Sequence, residues 1–123
     1  MIKILLVDDQ AAVRRGLRMQ LSLENTLFVV GEAENGLRAL EVIHELNPDL
    51  IILDLEMPIM DGHRTLKELR KQHSDIPVIM LSIHDSVEDR TLAEAEGVSE
   101  FVVKSGDLSP LITAIYKAID QNK

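Results

Sequence analysis

The sequence predicts an α/β fold, a (βα)5 three-layer sandwich with one parallel sheet between two layers of helices. Three observations carry this. Short apolar runs alternate five times with stretches of helical period along the 123 residues. Most of those runs are apolar without alternation, the pattern of strands covered on both faces. Turn and cap residues fall at the joints between the two kinds of segment. Such an alternation implies right-handed crossovers and hence a parallel sheet.

The five runs are IKILLV (2–7), LFVVGEA (27–33), DLIILD (49–54), PVIMLS (77–82) and EFVVK (100–104). Between them, Val13, Leu17 and Leu21 share one helical face, as do Ala39, Ile43 and Leu46. Leu66 with Leu69, and Leu111 with Ile115 and Ile119, give the same signal later. Asn35-Gly36 and Asp61-Gly62 precede helical patterns, and Ser109-Pro110 reads as an N-cap followed by the first helical residue. Pro48 and Pro77 each lead from a helix into a strand. One domain over 1–123 is expected, long enough for a single sizeable core.

Composition narrows the function. Apolar residues make up 46% of the chain, too many for a disordered tail. The absence of cysteine removes disulfides and thiolate metal sites. No apolar run approaches the ~20 residues of a membrane span, and no signal peptide precedes the first strand. A soluble, cytoplasmic protein without membrane contact is the expectation. A net charge of −8 speaks against direct binding to nucleic acid, which demands a basic face. One Tyr and two Phe offer little surface for stacking on bases.

In open parallel sheets, ligands collect beyond the carboxyl ends of the strands. The first run ends in Asp8-Asp9, the third in Asp54, the fourth in Ser82 and the fifth in Lys104. Each has a plainer reading alone. Asp9 could cap the helix beginning near Ala11, Asp8 or Asp54 could be a loop carboxylate, and Ser82 a turn residue. Lys104 alone would be a solvated charge. Together they are harder to dismiss. Two adjacent carboxylates where a buried segment surfaces repel each other and lose solvation unless something cationic binds there.

The pieces LLVDD, LDLEMPIMDG, MLS and VVK, in this order and spacing, make the sequence resemble the receiver domain of two-component response regulators from end to end. The resemblance implies a flavodoxin-like sheet of order 2-1-3-4-5, which would bring all five strand-end residues to one edge. VRRGLRMQL and VVGEAENG further resemble the NarL type, whose members usually carry a DNA-binding helix-turn-helix domain after the receiver.

What the resemblance implies for the site is specific. Asp54 would be the phosphoacceptor. Asp8, Asp9, Asp54 and the backbone carbonyl of Glu56 would hold Mg2+ (or Mn2+), a cation that prefers oxygen ligands. Lys104 would supply a second positive charge and Ser82 a hydroxyl donor, because an anionic phosphoryl group reaches a carboxylate only if its charge is neutralised. Ser82 and Phe101 would act as the switch, and Glu56 and His84 would flank the phosphoryl group and influence its lifetime.

The implied partner is a sensor histidine kinase, with self-association on phosphorylation and no direct nucleic-acid binding by residues 1–123. The implied output is control of a DNA-binding effector domain; the alternative is a stand-alone receiver acting on a protein partner. The chain is expected not to be an enzyme beyond assisting its own phosphorylation and dephosphorylation. A phosphatase or phosphotransferase with an aspartyl-phosphate intermediate would want a general acid and a cap insertion, for which the short loops leave no room. Flavin binding is disfavoured because acidic strand ends repel a phosphate.

Two departures from the family pattern stand out. Lys104 is followed by Ser105, where many receivers carry proline with a cis bond, so the isomer is open; cis before a non-proline residue costs ~3 kcal/mol. Phe101 lacks the hydroxyl of the more familiar Tyr. His44, His63 and His73 lie at no metal-ligand spacing and read as surface residues. The clustered carboxylates predict at least one raised pKa.

Overall fold

The computed structural model describes residues 1–72 and 74–121. Strands β1 (Ile2–Val7), β2 (Leu27–Ala33), β3 (Leu50–Asp54), β4 (Val78–Ser82) and β5 (Glu100–Val103) alternate with helices α1 (Ala11–Leu21), α2 (Gly36–Leu46), α3 (Gly62–Lys71), α4 (Val87–Ala95) and α5 (Ser109–Gln121). The strands form one parallel sheet of order β2-β1-β3-β4-β5. This is the flavodoxin-like (βα)5 sandwich that the resemblance implied.

Continuous apolar strands become two cores because successive side chains point to opposite faces. Leu5, Val7, Ile51, Leu53, Val78 and Met80 meet α2, α3 and α4 through Val42, Ile43, Leu66, Leu69 and Ala93. Ile4, Leu6, Leu50, Ile52, Ile79 and Leu81 meet α1 and α5 through Leu21, Leu111, Ala114 and Ile115. Burial is incomplete at the start of β1, where Ile2 and Lys3 are half-buried, and in the edge strands: β2 alternates in part, with Phe28 half exposed, and β5 is intermediate throughout.

Three strand boundaries differ from the runs by one residue. Pro77 has no N–H for the ladder, so β4 begins at Val78. The Asp49 carboxylate accepts the Lys3 N–H at 2.8 Å, and β3 begins one residue later, at Leu50. Lys104 lies just beyond β5, although its N–H still reaches the Ser82 carbonyl at 2.7 Å. The helix starts agree with the cap residues at two of three places. Asn35 and Asp61 accept from the N–H groups of Arg38 and Arg64. The third differs: α5 begins at Ser109 itself, and the Asp107 carboxylate accepts the Ser109 N–H at 3.0 Å.

Helix α4 has no apolar stripe. Its one fully buried residue is Ala93, while Val87 and Leu92 face solvent. Ser86 and the acidic first turn start it, with the Ser86 hydroxyl accepting the Asp89 N–H at 3.2 Å. Burial therefore contributes little to holding this helix on the sheet.

Candidate functional site

The strand order brings the carboxyl ends of β1, β3, β4 and β5 side by side. Asp8 follows β1 and is 3% exposed, Asp54 ends β3 at 6%, and Ser82 ends β4 at 1%. Asp9 is exposed. Asp8, Asp9 and Asp54 each present a carboxylate oxygen, and the three oxygens lie within 4.8 Å of one another. Lys104 reaches in from the end of β5, with Nζ 3.0 Å from Asp54 Oδ1 and 3.2 Å from Asp8 Oδ2.

The electrostatics follow from this crowding. Burial pushes the Asp54 carboxyl pKa up, Lys104 pulls it down, and the charges of Asp8 and Asp9 push it up again; the net result is raised. The expectation of a raised carboxylate is met at Asp54. Burial pulls the Lys104 ammonium down, but Asp54 and Asp8 outweigh it and raise its pKa, so it stays charged. One lysine faces three carboxylates, which leaves a site of net negative charge.

A cluster of closely spaced carboxylate oxygens suits a hard divalent cation such as Mg2+. Not every carboxylate is equally free. Asp8 Oδ1 also accepts the Gln10 N–H at 2.9 Å, which holds the turn into α1. Asp9 does not cap that helix: its N-cap position is Gln10, with no side-chain bond.

Of the other expected residues, Ser82 ends β4, Glu56 and His84 lie in the loops after β3 and β4, and Phe101 lies in β5. The Ser82 hydroxyl accepts the His84 N–H at 3.1 Å and so turns towards the β4–α4 loop. Glu56 and His84 approach each other, with 3.6 Å between Oε1 and Nε2, and both side chains are more than half exposed. Phe101 is half-buried against the α2–α4 core, and the Arg90 guanidinium sits over its ring at 4.8 Å from the centroid. No cis peptide bond occurs among the described residues, so the Lys104–Ser105 bond is trans.

Of the three histidines read as surface residues, His44 is exposed as expected and His73 lies outside the described residues. His63 is a correction. Its side chain is only 13% exposed and lies between two carboxylates of α4, Glu96 and Asp89. Both partners are distant in sequence, so periodicity gave no sign of them.

Two further residues shape the site without having been foreseen. Arg14 donates from its guanidinium to the Asp8 carbonyl and, at 2.9 Å, to Glu32 of β2, tying the end of β1 to its neighbours. In the loop after Asp54, Ile59 has a φ of +70°, and the Met60 N–H donates to the Pro58 carbonyl at 2.7 Å. That combination is a three-residue turn of the strained hand, unusual for a β-branched residue. Nothing in an Ile signals it; only the flanking Pro58 and Asp61-Gly62 mark a turn.

Fold and edge together define an α/β module with an oxygen-rich, lysine-paired site at its topological switch point. Residues 4–116 match the response regulator receiver domain family, and the chain belongs to that family. It is similar to the nitrate/nitrite response regulator protein NarL of Escherichia coli, 36% identical over 115 residues that make up 94% of this chain and 53% of that protein. It is also similar to protein-glutamate methylesterase/protein-glutamine glutaminase 1 of Carboxydothermus hydrogenoformans, 42% identical over 95% of this chain and 35% of that protein. The response regulator protein TrrA of Thermotoga maritima, solved in complex with Mg2+-BeF, superposes with a TM-score of 0.86 at 33% identity, covering 96% of this chain and 99% of that one.

The chain is thus a NarL-type receiver domain of a two-component response regulator, as its first helix and second strand suggested. It spans about a third to a half of the length of these two curated relatives. Among the described residues, no helix is long and apolar enough to cross a membrane.

Proposed function

We propose that Asp54 accepts a phosphoryl group from a partner histidine kinase and that the phosphorylated edge changes the face built by α4, β5 and α5. One observation carries the reading: a buried carboxylate at a strand end, 3.0 Å from a lysine and crowded by two more carboxylates. A carboxylate oxygen of Asp54 attacks phosphorus, an O–P bond forms as the donor's P–N bond breaks, and the electron pair returns to the donor imidazole. Asp8, Asp9, Asp54 and the Glu56 carbonyl would hold Mg2+ (or Mn2+), which supplies positive charge against the phosphoryl oxygens when bound. Lys104 contributes a fixed positive charge to the same oxygens, and Ser82 a hydroxyl donor.

Readout runs through Ser82 and Phe101. A Ser82 hydroxyl drawn towards the phosphoryl group gives up the His84 N–H, which loosens the β4–α4 loop. Arg90 of α4 lies on the Phe101 ring and binds Asp85 at 3.1 Å, so a change of Phe101 is felt by α4. Glu56 and His84 flank the entrance and govern access of water, and hence how long the acyl phosphate lasts. The domain acts only on its own aspartate and passes its state to a DNA-binding effector domain or, as a stand-alone receiver, to a protein partner; phosphorylation favours its self-association. It does not itself bind nucleic acid.

The test is intact-mass measurement after incubation with Mg2+ and acetyl phosphate. Wild type should gain one phosphoryl group, and Asp54→Asn none. Equal gain by the variant would move the acceptor elsewhere.

A further inference from the structure

Helix α4 is held unusually. Its burial contribution is a single alanine, yet both its ends are bound to one side chain of α3. His63, the second residue of α3, places Nδ1 2.7 Å from Glu96 Oε1 and Nε2 3.1 Å from Asp89 Oδ1. Asp89 lies in the first turn of α4 and Glu96 is its C-cap. The two are seven residues apart, about 10 Å along a helix at 1.5 Å per residue.

A neutral imidazole can donate from one nitrogen only; the other then presents a lone pair. Here both nitrogens face carboxylate oxygens, so the neutral ring must set one lone pair against an anion. The imidazolium donates to both, with charge on each side. Among the described residues, the charges acting on the ring are Asp89 and Glu96. Three arginines on α3 and α4 are engaged elsewhere: Arg64 with Glu68, Arg70 with the Gly97 carbonyl, and Arg90 with Asp85. From α2, which also packs on α3, Arg38 pairs with Glu41.

We propose that His63 is a proton-operated latch that seats α4 against α3, closed when the ring is charged and released when it is neutral. Burial pulls the ring's pKa down, and Asp89 and Glu96 more than offset it, so the pKa is raised. The sign follows. A histidine raised in the closed state favours closure fully below its ordinary pKa, and the advantage is lost as pH rises through the raised value. The latch therefore works in the near-neutral range and makes the mobility of α4 respond to pH. It belongs to the unphosphorylated fold and does not depend on which residue accepts a phosphoryl group.

The experiment combines two measurements on the unphosphorylated 123-residue chain. Imidazole NMR titration gives the midpoint of His63, and amide hydrogen exchange, corrected for intrinsic rates, gives the opening constant of α4 at each pH. His63 should titrate above its ordinary value, and Glu96→Gln should lower that midpoint. Opening of α4 should increase through the same midpoint, by about tenfold for each unit the midpoint is raised. In His63→Gln the opening should be independent of pH, while α2 amides should behave alike in both proteins. An α4 opening constant that stays flat through the measured titration of His63 overturns the latch. So does a His63 midpoint at its ordinary value that Glu96→Gln leaves unmoved.

Discussion

Lys104 and Asp54 form an ion pair of 3.0 Å between the ends of β5 and β3, and the same ammonium lies 3.2 Å from Asp8. It is the charge that allows two carboxylates to be buried at neighbouring strand ends. Lys104→Ala should leave both without it and lower stability by about 1–3 kcal/mol, the cost of unpaired buried polar groups. The same variant should lose phosphorylation of Asp54 or its readout. Urea unfolding reports the first effect and intact mass with a signalling assay the second; normal signalling by the variant would remove Lys104 from the mechanism.

Burial first, and then the charges of Asp8 and Asp9, disfavour the Asp54 anion. Its folded pKa is raised, so its charge opposes folding at neutral pH; its own contribution to stability should be most favourable below the ordinary carboxylate pKa and fall as pH rises through the raised value. Asp54→Asn should accordingly stabilise the metal-free domain at pH 7, by on the order of 1 kcal/mol. That gap should close as pH falls. Asp8→Asn should gain less, because Asp8 also accepts the Gln10 N–H. Urea curves at two pH values decide it, and a wild type more stable than Asp54→Asn at pH 7 would make these carboxylates structural partners.

Gly62 is required by close approach. A Cβ there would lie 2.7 Å from the Asp54 carbonyl oxygen and 2.8 Å from Leu55 Cα, and backbone atoms cannot move aside cheaply. Gly62→Ala should cost about 1–3 kcal/mol, the range for overpacking, and displace the loop that follows Asp54. Slower phosphorylation by acetyl phosphate should accompany the lower unfolding midpoint. Unchanged values of both would show that α3 can shift without disturbing β3.

Arg70 closes the opposite end of the molecule. Its guanidinium donates to the carbonyls of Ser74 and Ile76, each at 2.9 Å, and to Gly97 at 2.8 Å. Gly97 has φ +91°, the left-handed turn that leads out of α4. Arg70→Ala should destabilise by about 2 kcal/mol, and Arg70→Lys should recover little, since an ammonium cannot reproduce the planar fork. Thermal unfolding of both variants tests this; full recovery by lysine would mean that charge alone matters.

The layers were legible in the amino-acid pattern. Strands buried on both faces must be apolar throughout, and helices lying on them must carry a stripe, so β1, β3, β4 and α1, α2, α3 and α5 were readable from period alone. Asp8, Asp9, Asp54 and Lys104 were readable as candidates because polar residues ending apolar runs are costly without a reason. Helix α4 was not readable from period: Val87 and Leu92 face solvent, and its polar contacts are with His63 of α3 and Phe101 of β5, both from other elements.

Tertiary structure alone decided the partnerships. His63 with Glu96, Arg14 with Glu32 and Lys104 with Asp8 are separated by 33, 18 and 96 residues. Strand order and helix packing, not spacing, bring each pair within bonding reach. Periodicity reports which way a side chain faces; it carries no information on which charge lies opposite. That is why His63 read as a surface residue, and why its position between two carboxylates emerges only from the packing of α3 against α4.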